Sequence, residues 1–278
     1  MTSEMNPLGV FAPRLFRGKT TLVTGGGRGI GKAIAVAFAR LGANLIIASR
    51  NSAHLDPTAE TIKAMGVECL AVPTNIREID QVESLVVQSL GRFGAIDFLV
   101  NNAGGQFPAR PSQISDRGWR SVIDLNLNGT WNLCSRVVPH MVKRRCGAIV
   151  NIVHIYSFDR GAPTFVHSGA ARAGVVNMTR SLAYYLARHG VTINALAPGS
   201  VSTAGLRDEE YSRAEQENYE ALQLRDIPAH RLAEPDEIAA VVLFLCSPAA
   251  RYINGAAIVA DGALSLDKWT PLFDPEVP

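Results

Sequence analysis

The apolar residues of this chain fall into short unbroken runs, separated by longer stretches in which they recur every three or four positions. The runs cover residues 21–23, 44–48, 67–72, 96–100, 148–153, 191–197 and 256–260, each bounded by polar or turn residues, and they predict buried strands. The stretches between them predict helices over 32–41, 52–65, 79–93, 168–189 and 235–245, with mainly helical character through 114–146. In the first helix Ile34, Phe38 and Leu41 form one stripe. Strand and helix alternate throughout, which predicts the α/β class: a doubly wound, parallel sheet covered on both faces. No linker and no repeat interrupts the 278 residues, so one domain spanning 1–278 is expected. Residues 1–18 read as an arm leading into the first strand, and the charged stretch about 200–230, weak in apolar period, reads as a small mobile lid over the substrate.

The first strand–helix junction carries the run Thr24-Gly25-Gly26-Gly27-Arg28-Gly29-Ile30-Gly31. Glycines let a backbone approach a pyrophosphate, and the free N–H groups at a helix start point at it. The alternative is a tight turn with no ligand. Its position in the first unit of an α/β chain favours phosphate binding.

Composition narrows the partners. A net charge of +2 gives no reason to expect nucleic acid or an anionic membrane. Cys69, Cys134, Cys146 and Cys246 lack pair spacing, which argues against a metal site and a disulfide scaffold and fits a reducing, cytoplasmic setting. No apolar run is long enough for a membrane span, Met1 to Pro13 show no secretory pattern, and the last four residues, Pro-Glu-Val-Pro, are not a peroxisomal address.

Separated motifs then line up. Thr24-Gly25-x-x-x-Gly29-x-Gly31, Asn101-Asn102-Ala103-Gly104, Asn126-x-x-Gly129 and Pro198-Gly199 together resemble the short-chain dehydrogenase/reductase family over nearly the whole chain. The resemblance implies a seven-stranded Rossmann sheet, a nicotinamide cofactor and a homotetramer. It implies cofactor contacts from Gly25, Arg28, Gly29, Ile30, Gly31, Asn102, Ala103, Gly104, Pro198, Gly199, Val201 and Thr203. The runs 101–107 and 167–175 are similar to those of peroxisomal trans-2-enoyl-CoA reductases and, less closely, 2,4-dienoyl-CoA reductases. At the end of the second strand stand Ser49 and Arg50, with no acid to bond a ribose 2′-hydroxyl. An arginine there can take a 2′-phosphate with its charged fork, Arg28 could approach the same group, and NADP(H) is expected over NAD(H). Asn75 and Ile76 fall where the family places residues against the adenine, and Asn75 can offer its amide to the base.

The family's Tyr-x-x-x-Lys is absent. Its tyrosine position holds Ser168, its lysine position holds Arg172, and the upstream serine position holds His154. Arg172 can keep the lysine's cationic hold on ribose, but an aliphatic hydroxyl is too weak an acid to replace a phenol. Dienoyl-CoA reductases place their tyrosine two residues past the serine position, where this chain has Tyr156. The expected reaction is therefore reduction of a carbon–carbon double bond conjugated to a thioester. Tyr156 would protonate carbon, Ser168 and an Arg172-held ribose hydroxyl would polarise the carbonyl, and Asn126 would bond a water or the carbonyl. His154 and His167 are weighed as alternative proton sources, and Arg110, Arg207, Arg213 and Arg225 as contacts for coenzyme A phosphates. Two other readings stay open: a reductase of a carbonyl or imine in a biosynthetic intermediate, and a non-redox protein of the same fold.

Overall fold

A computed structural model describes residues 6–158, 160–203 and 224–266. Seven strands form one parallel sheet: β1 (Thr20–Thr24), β2 (Asn44–Ser49), β3 (Cys69–Pro73), β4 (Phe98–Asn101), β5 (Gly147–Ile152), β6 (Val191–Pro198) and β7 (Ala257–Ala260), in the order 3-2-1-4-5-6-7. The helices are α1 (Gly29–Arg40), α2 (Ser52–Lys63), α3 (Ile79–Phe93), α4 (Asp116–Ile123), α5 (Gly129–Arg144), α6 (Val166–Leu186) and α7 (Pro235–Cys246).

The unbroken apolar runs are strands buried on both faces. Val23, Ile47, Val100 and Val150 point to a core layer shared with α1, α2 and α7. Their neighbours Leu22, Ile46, Leu99 and Ile149 point to the opposite layer, filled from α3, α5 and the end of α6. Strand periodicity thus assigns alternate residues to opposite cores. The expected N-terminal arm packs into the first layer: Phe16 is buried and sits with its ring centroid 5.0 Å from that of Phe38 and 5.2 Å from that of Phe98.

Two sequence expectations are corrected in detail. The helical stretch through 114–146 is broken into α4 and α5 by one π-helical segment, Asp124–Asn128. The edge strand β3 begins at Cys69 rather than at 67, because β2 pairs with it from Leu45 and the Asn44 side chain accepts the Glu68 N–H at 3.0 Å just before that point. The expected lid lies largely in 204–223, outside the described residues, and so do Arg207 and Arg213.

At the amino end of the sheet, buried Asp97 accepts the Thr20 backbone N–H at 2.9 Å and pairs with Arg144 at 2.8 Å, with Lys19 at 3.5 Å. The carboxylate ties the entries of β1 and β4 together, far from the carboxyl ends of the strands. Asp97→Ala should lower the unfolding free energy by about 1.5–3 kcal/mol, the loss of a charged acceptor from a buried donor. Equilibrium urea unfolding measures this, and an unchanged midpoint would contradict it.

Candidate active site

In an open parallel sheet, ligands bind outside the carboxyl ends of the strands, where the strand order reverses. Here the reversal falls between β1 and β4. A cavity of about 740 Å³ opens there, and it is lined from the ends of β1, β2, β3, β4, β5 and β6.

One half of the cavity is the glycine turn. Gly25 and Gly29 have positive φ of 67° and 52°. A Cβ on Gly31 would stand 2.2 Å from the Gly25 carbonyl oxygen and 2.5 Å from Asn102 Nδ2, so only glycine lets α1 start this close to β1 and β4. Arg28 caps α1 with extended backbone and makes no side-chain cap bond to it. Gly25, Arg28, Gly29, Ile30 and Gly31 all line the cavity. The turn is also held from α2, where the Thr58 hydroxyl donates to the Gly27 carbonyl at 3.0 Å. Thr58 has no motif to announce it, and only the packing of α2 against the turn reveals it.

Ser49 and exposed Arg50 stand on the wall at the end of β2, followed by Asn75 and Ile76 after β3. The Ser49 hydroxyl donates to the Asn51 carbonyl at 3.1 Å. The Asn75 amide is used in its own turn: Oδ1 accepts from Arg77 Nε at 3.1 Å and Nδ2 reaches Glu78 at 3.4 Å. The wall is therefore present where expected, while the amide foreseen for a base is engaged locally.

Asn102, Ala103 and Gly104 form the centre of the cavity floor. A Cβ on Gly104 would meet Arg172 Nη2 at 2.3 Å and Asn126 Oδ1 at 2.6 Å, so glycine brings the guanidinium and this loop into contact. Arg172 lines the cavity from α6, donates from Nη1 to the Ile152 carbonyl at 2.6 Å, and has a buried Nε without a protein partner. Desolvation lowers its pKa to about 10, so it remains a cation at neutral pH. Gly199, Val201 and Thr203 line the cavity beyond β6, while buried Pro198 lies behind them and does not.

Asn126, in the π-helical segment, does not line the cavity. Its amide donates to the Gly105 carbonyl at 2.8 Å and the Val122 carbonyl at 2.9 Å, and accepts the Gly105 N–H at 3.2 Å. It braces the floor loop instead of facing a ligand. Ser168 is also off the cavity: it is 1% exposed and its hydroxyl has no partner. His167, equally buried, packs edge-on against Phe107 with centroids 4.4 Å apart, and burial lowers its pKa. It too stays outside the cavity lining.

Tyr156 and His154 do line it. Their rings stack with centroids 4.4 Å apart, and His154 Nδ1 accepts the Tyr156 backbone N–H at 3.2 Å. Burial raises the Tyr156 pKa, with Arg160 opposing and Asp226 assisting, so the phenol keeps its proton at neutral pH. Burial, aided by the Arg172 cation, lowers His154 to about 3. Phe165, Leu125 and Leu264 add apolar wall, and Gln106 adds a buried Oε1 with no partner. Sequence reasoning missed these four, because Phe165, Leu264 and Gln106 come from loops or turns whose paths no local pattern states, and Leu125 is turned by the π-helical segment between α4 and α5. Arg110 and Arg225 are exposed and do not line the cavity, and Arg225 lies 3.4 Å from Asp226.

The depressed His154 pKa makes a stability prediction. Above the ordinary histidine value of 6.5 both states carry neutral imidazole. As pH falls from there toward about 3, the unfolded chain takes up a proton that the folded chain refuses, so stability is lost across that window. Between about pH 7 and about pH 4, the urea midpoint of the wild type should fall more steeply than that of His154→Asn, measured side by side.

Comparison with known proteins agrees with this architecture. A family model described as Enoyl-(Acyl carrier protein) reductase matches residues 25–265. The 3-oxoacyl-[acyl-carrier-protein] reductase FabG of Staphylococcus epidermidis is 35% identical over 247 residues, covering 88% of this chain and 98% of the relative. A Bacillus subtilis protein named "Probable 2,4-dienoyl-CoA reductase [(2E)-enoyl-CoA-producing]" is 33% identical over 253 residues, 90% of this chain and 98% of the relative. Among solved structures, the citronellol catabolism dehydrogenase AtuB of Pseudomonas aeruginosa PAO1 matches with a TM-score of 0.80 at 36% identity, covering 92% of this chain and 98% of that one. With a family model matching 25–265 and relatives of this identity spanning nearly its whole length, the chain belongs to the short-chain dehydrogenase/reductase family of oxidoreductases.

Proposed function

We propose that this protein uses NADPH to reduce a carbon–carbon double bond conjugated to a thioester carbonyl. The observation that carries the reading is the placement of Tyr156. Tyr156, whose phenol keeps its proton, is among the residues lining the cavity, while Ser168, on the helix position where the family's tyrosine is expected, is not. The enoyl reductase description of the matching family model and the name of the Bacillus subtilis relative support the substrate class.

The cavity fits a dinucleotide. The Gly25 to Gly31 turn leaves the close approach that a pyrophosphate needs, and the orphaned Arg172 Nε is a donor suited to a ribose hydroxyl. Arg50 and Arg28 would hold the 2′-phosphate, Asn75 and Ile76 would border the adenine, and Asn102, Ala103 and Gly104 would flank the nicotinamide side, with Gly199, Val201 and Thr203 opposite. When bound, the reduced nicotinamide supplies a hydride to the electrophilic end of the conjugated system. Negative charge would then gather on the thioester oxygen, and the cationic lining of the cavity, Arg172 included, favours it. Tyr156 gives its phenolic proton to the adjacent carbon and is reprotonated from solvent, so hydride and proton together saturate one double bond. Leu125, Phe165 and Leu264 give the apolar wall that an acyl chain needs.

A second reading, reduction of a 3-oxoacyl carbonyl, is favoured by the FabG relatives. In it Tyr156 would protonate oxygen instead of carbon. NADPH absorbance followed with crotonyl-CoA, a dienoyl-CoA and acetoacetyl-CoA separates the two. Oxidation with neither unsaturated thioester overturns the first reading.

Tyr156→Phe should lower turnover by roughly 10²–10⁴ with NADPH affinity nearly unchanged, as expected for loss of an acid–base group. Ser168→Ala should cost less. Arg50→Ala should weaken NADPH binding by about 1–3 kcal/mol and leave NADH binding nearly unmoved, and equal affinity of the wild type for both cofactors would contradict the choice of NADPH. A homotetramer is part of the proposal, supported by exposed Tyr184, Tyr185 and Tyr252, and light scattering at the 29.8 kDa monomer mass would contradict it.

A further inference from the structure

His154 is held through its ring and through its backbone. Nδ1 accepts the Tyr156 backbone N–H at 3.2 Å, and the His154 backbone N–H donates to the Ser157 hydroxyl at 3.3 Å, so the residue caps the short turn Ile155–Ser157. The ring lies on the Tyr156 ring with 24° between planes. A neutral imidazole that accepts at Nδ1 carries its proton at Nε2, so the nitrogen left for a ligand is a donor. The same residue lines the cavity beside Tyr156 and Arg172.

The surroundings keep the ring neutral. Arg172 of α6 is the charged group acting on it, and Arg160 and Asp226 act on the stacked Tyr156. A general acid at this place would need an imidazolium next to the Arg172 cation in a desolvated wall, which the depressed pKa opposes. Meanwhile the proposed reduction needs a donor at the thioester oxygen. Ser168 is outside the cavity, and the Asn126 amide is spent on Gly105 and Val122.

We infer that His154, held in its Nε2–H tautomer by the Tyr156 backbone, donates the hydrogen bond to the substrate carbonyl oxygen, while Tyr156 delivers the proton to carbon. This rests on the thioester reading above. The imidazole proton stays on nitrogen throughout. Its part is to stabilise charge that grows on oxygen as the hydride arrives, and a donor fixed before reaction does so without reorganisation.

The test uses the full chain with NADPH and crotonyl-CoA, together with histidine-selective ¹⁵N NMR of the protein loaded with NADP⁺. The His154 resonances should keep the neutral Nε2–H pattern from about pH 5 to about pH 8. His154→Phe keeps a flat ring against Tyr156. His154→Asn keeps an acceptor for the Tyr156 N–H but draws its donor back from the cavity. Each should lower turnover about 10²–10³-fold, the usual cost of one oxyanion donor, with NADPH affinity near wild type, and His154→Asn, which keeps the cap acceptor, should also keep the thermal midpoint near wild type. If one variant fails to fold, the other carries the comparison. An imidazolium or Nδ1–H pattern, or wild-type turnover in the folded variants, overturns the inference. Failure of the thioester reading looks different: the wild type then oxidises no NADPH with crotonyl-CoA, and the NMR pattern by itself decides for or against the fixed donor.

Discussion

The hydroxyl of Thr24, at the last position of β1, accepts the backbone N–H groups of Asn102 at 3.1 Å and Ala103 at 3.0 Å and donates to the Val100 carbonyl at 3.4 Å. The Asn102 side chain returns a bond to the Thr24 carbonyl at 2.9 Å. These bonds close the gap between β1 and β4 at the one place where the sheet reverses its winding. Without them the glycine turn and the Asn102 to Gly104 loop would have no fixed separation. With them, the two loops form one floor, and the close approach at Gly31 is set from both sides. Thr24 is 1% exposed and uses both its donor and acceptor capacity, so the junction leaves no buried polar group unpaid at that residue.

The other side of the cavity depends on how α6 sits against β5. Two bonds set this. Arg172 reaches the Ile152 carbonyl near the strand end, and deeper in the core the Asn151 amide donates to the Thr179 hydroxyl at 2.9 Å. Asn101 extends the chain by donating to Asn151 at 2.8 Å, which links β4, β5 and α6 through buried polar groups. Such networks hold one arrangement because slipping by a residue would strand donors in a dry interior. His154 and Tyr156 leave β5 immediately above this bracket, so their stacked rings are placed by the same contacts that hold Arg172.

The resulting cavity is electrostatically one-sided. Arg28, Arg50 and Arg172 line it, while no Asp or Glu does so among the described residues. Its phenol is held protonated and its imidazole neutral, both by desolvation. That combination suits a phosphate-bearing cofactor and a reaction in which negative charge grows on an oxygen. It gives no obvious means of creating a phenolate at rest, which is what a lysine beside a tyrosine would favour.

The alternation of short unbroken apolar runs with 3.6-residue patterns was enough to read a parallel sheet with two helical layers, since a strand buried on both faces must be apolar throughout and a covering helix on one stripe only. The glycine turn, Arg50 and the Asn102 to Gly104 run line the cavity where the sequence motifs put them, because each sits directly after a strand whose carboxyl end faces that cavity. The surroundings of Ser168, Asn126 and Asn75 were not legible in this way. Asn126 is claimed by Gly105, a competitor that local sequence does not contain; Asn75 is claimed by the side chains of Arg77 and Glu78, which only the folded turn brings onto it; and Ser168 is buried off the cavity with no partner, a placement set by how α6 packs. The same limit hid Phe165, Leu264 and the Thr58 bond to Gly27, whose positions depend on chain paths between elements. Whether Tyr156 reaches the cavity and His154 presents a donor follows from the turn at Ile155–Ser157 packed against α6. Only the tertiary structure decides that, because a one-residue change in loop length would turn the same two side chains to different neighbours.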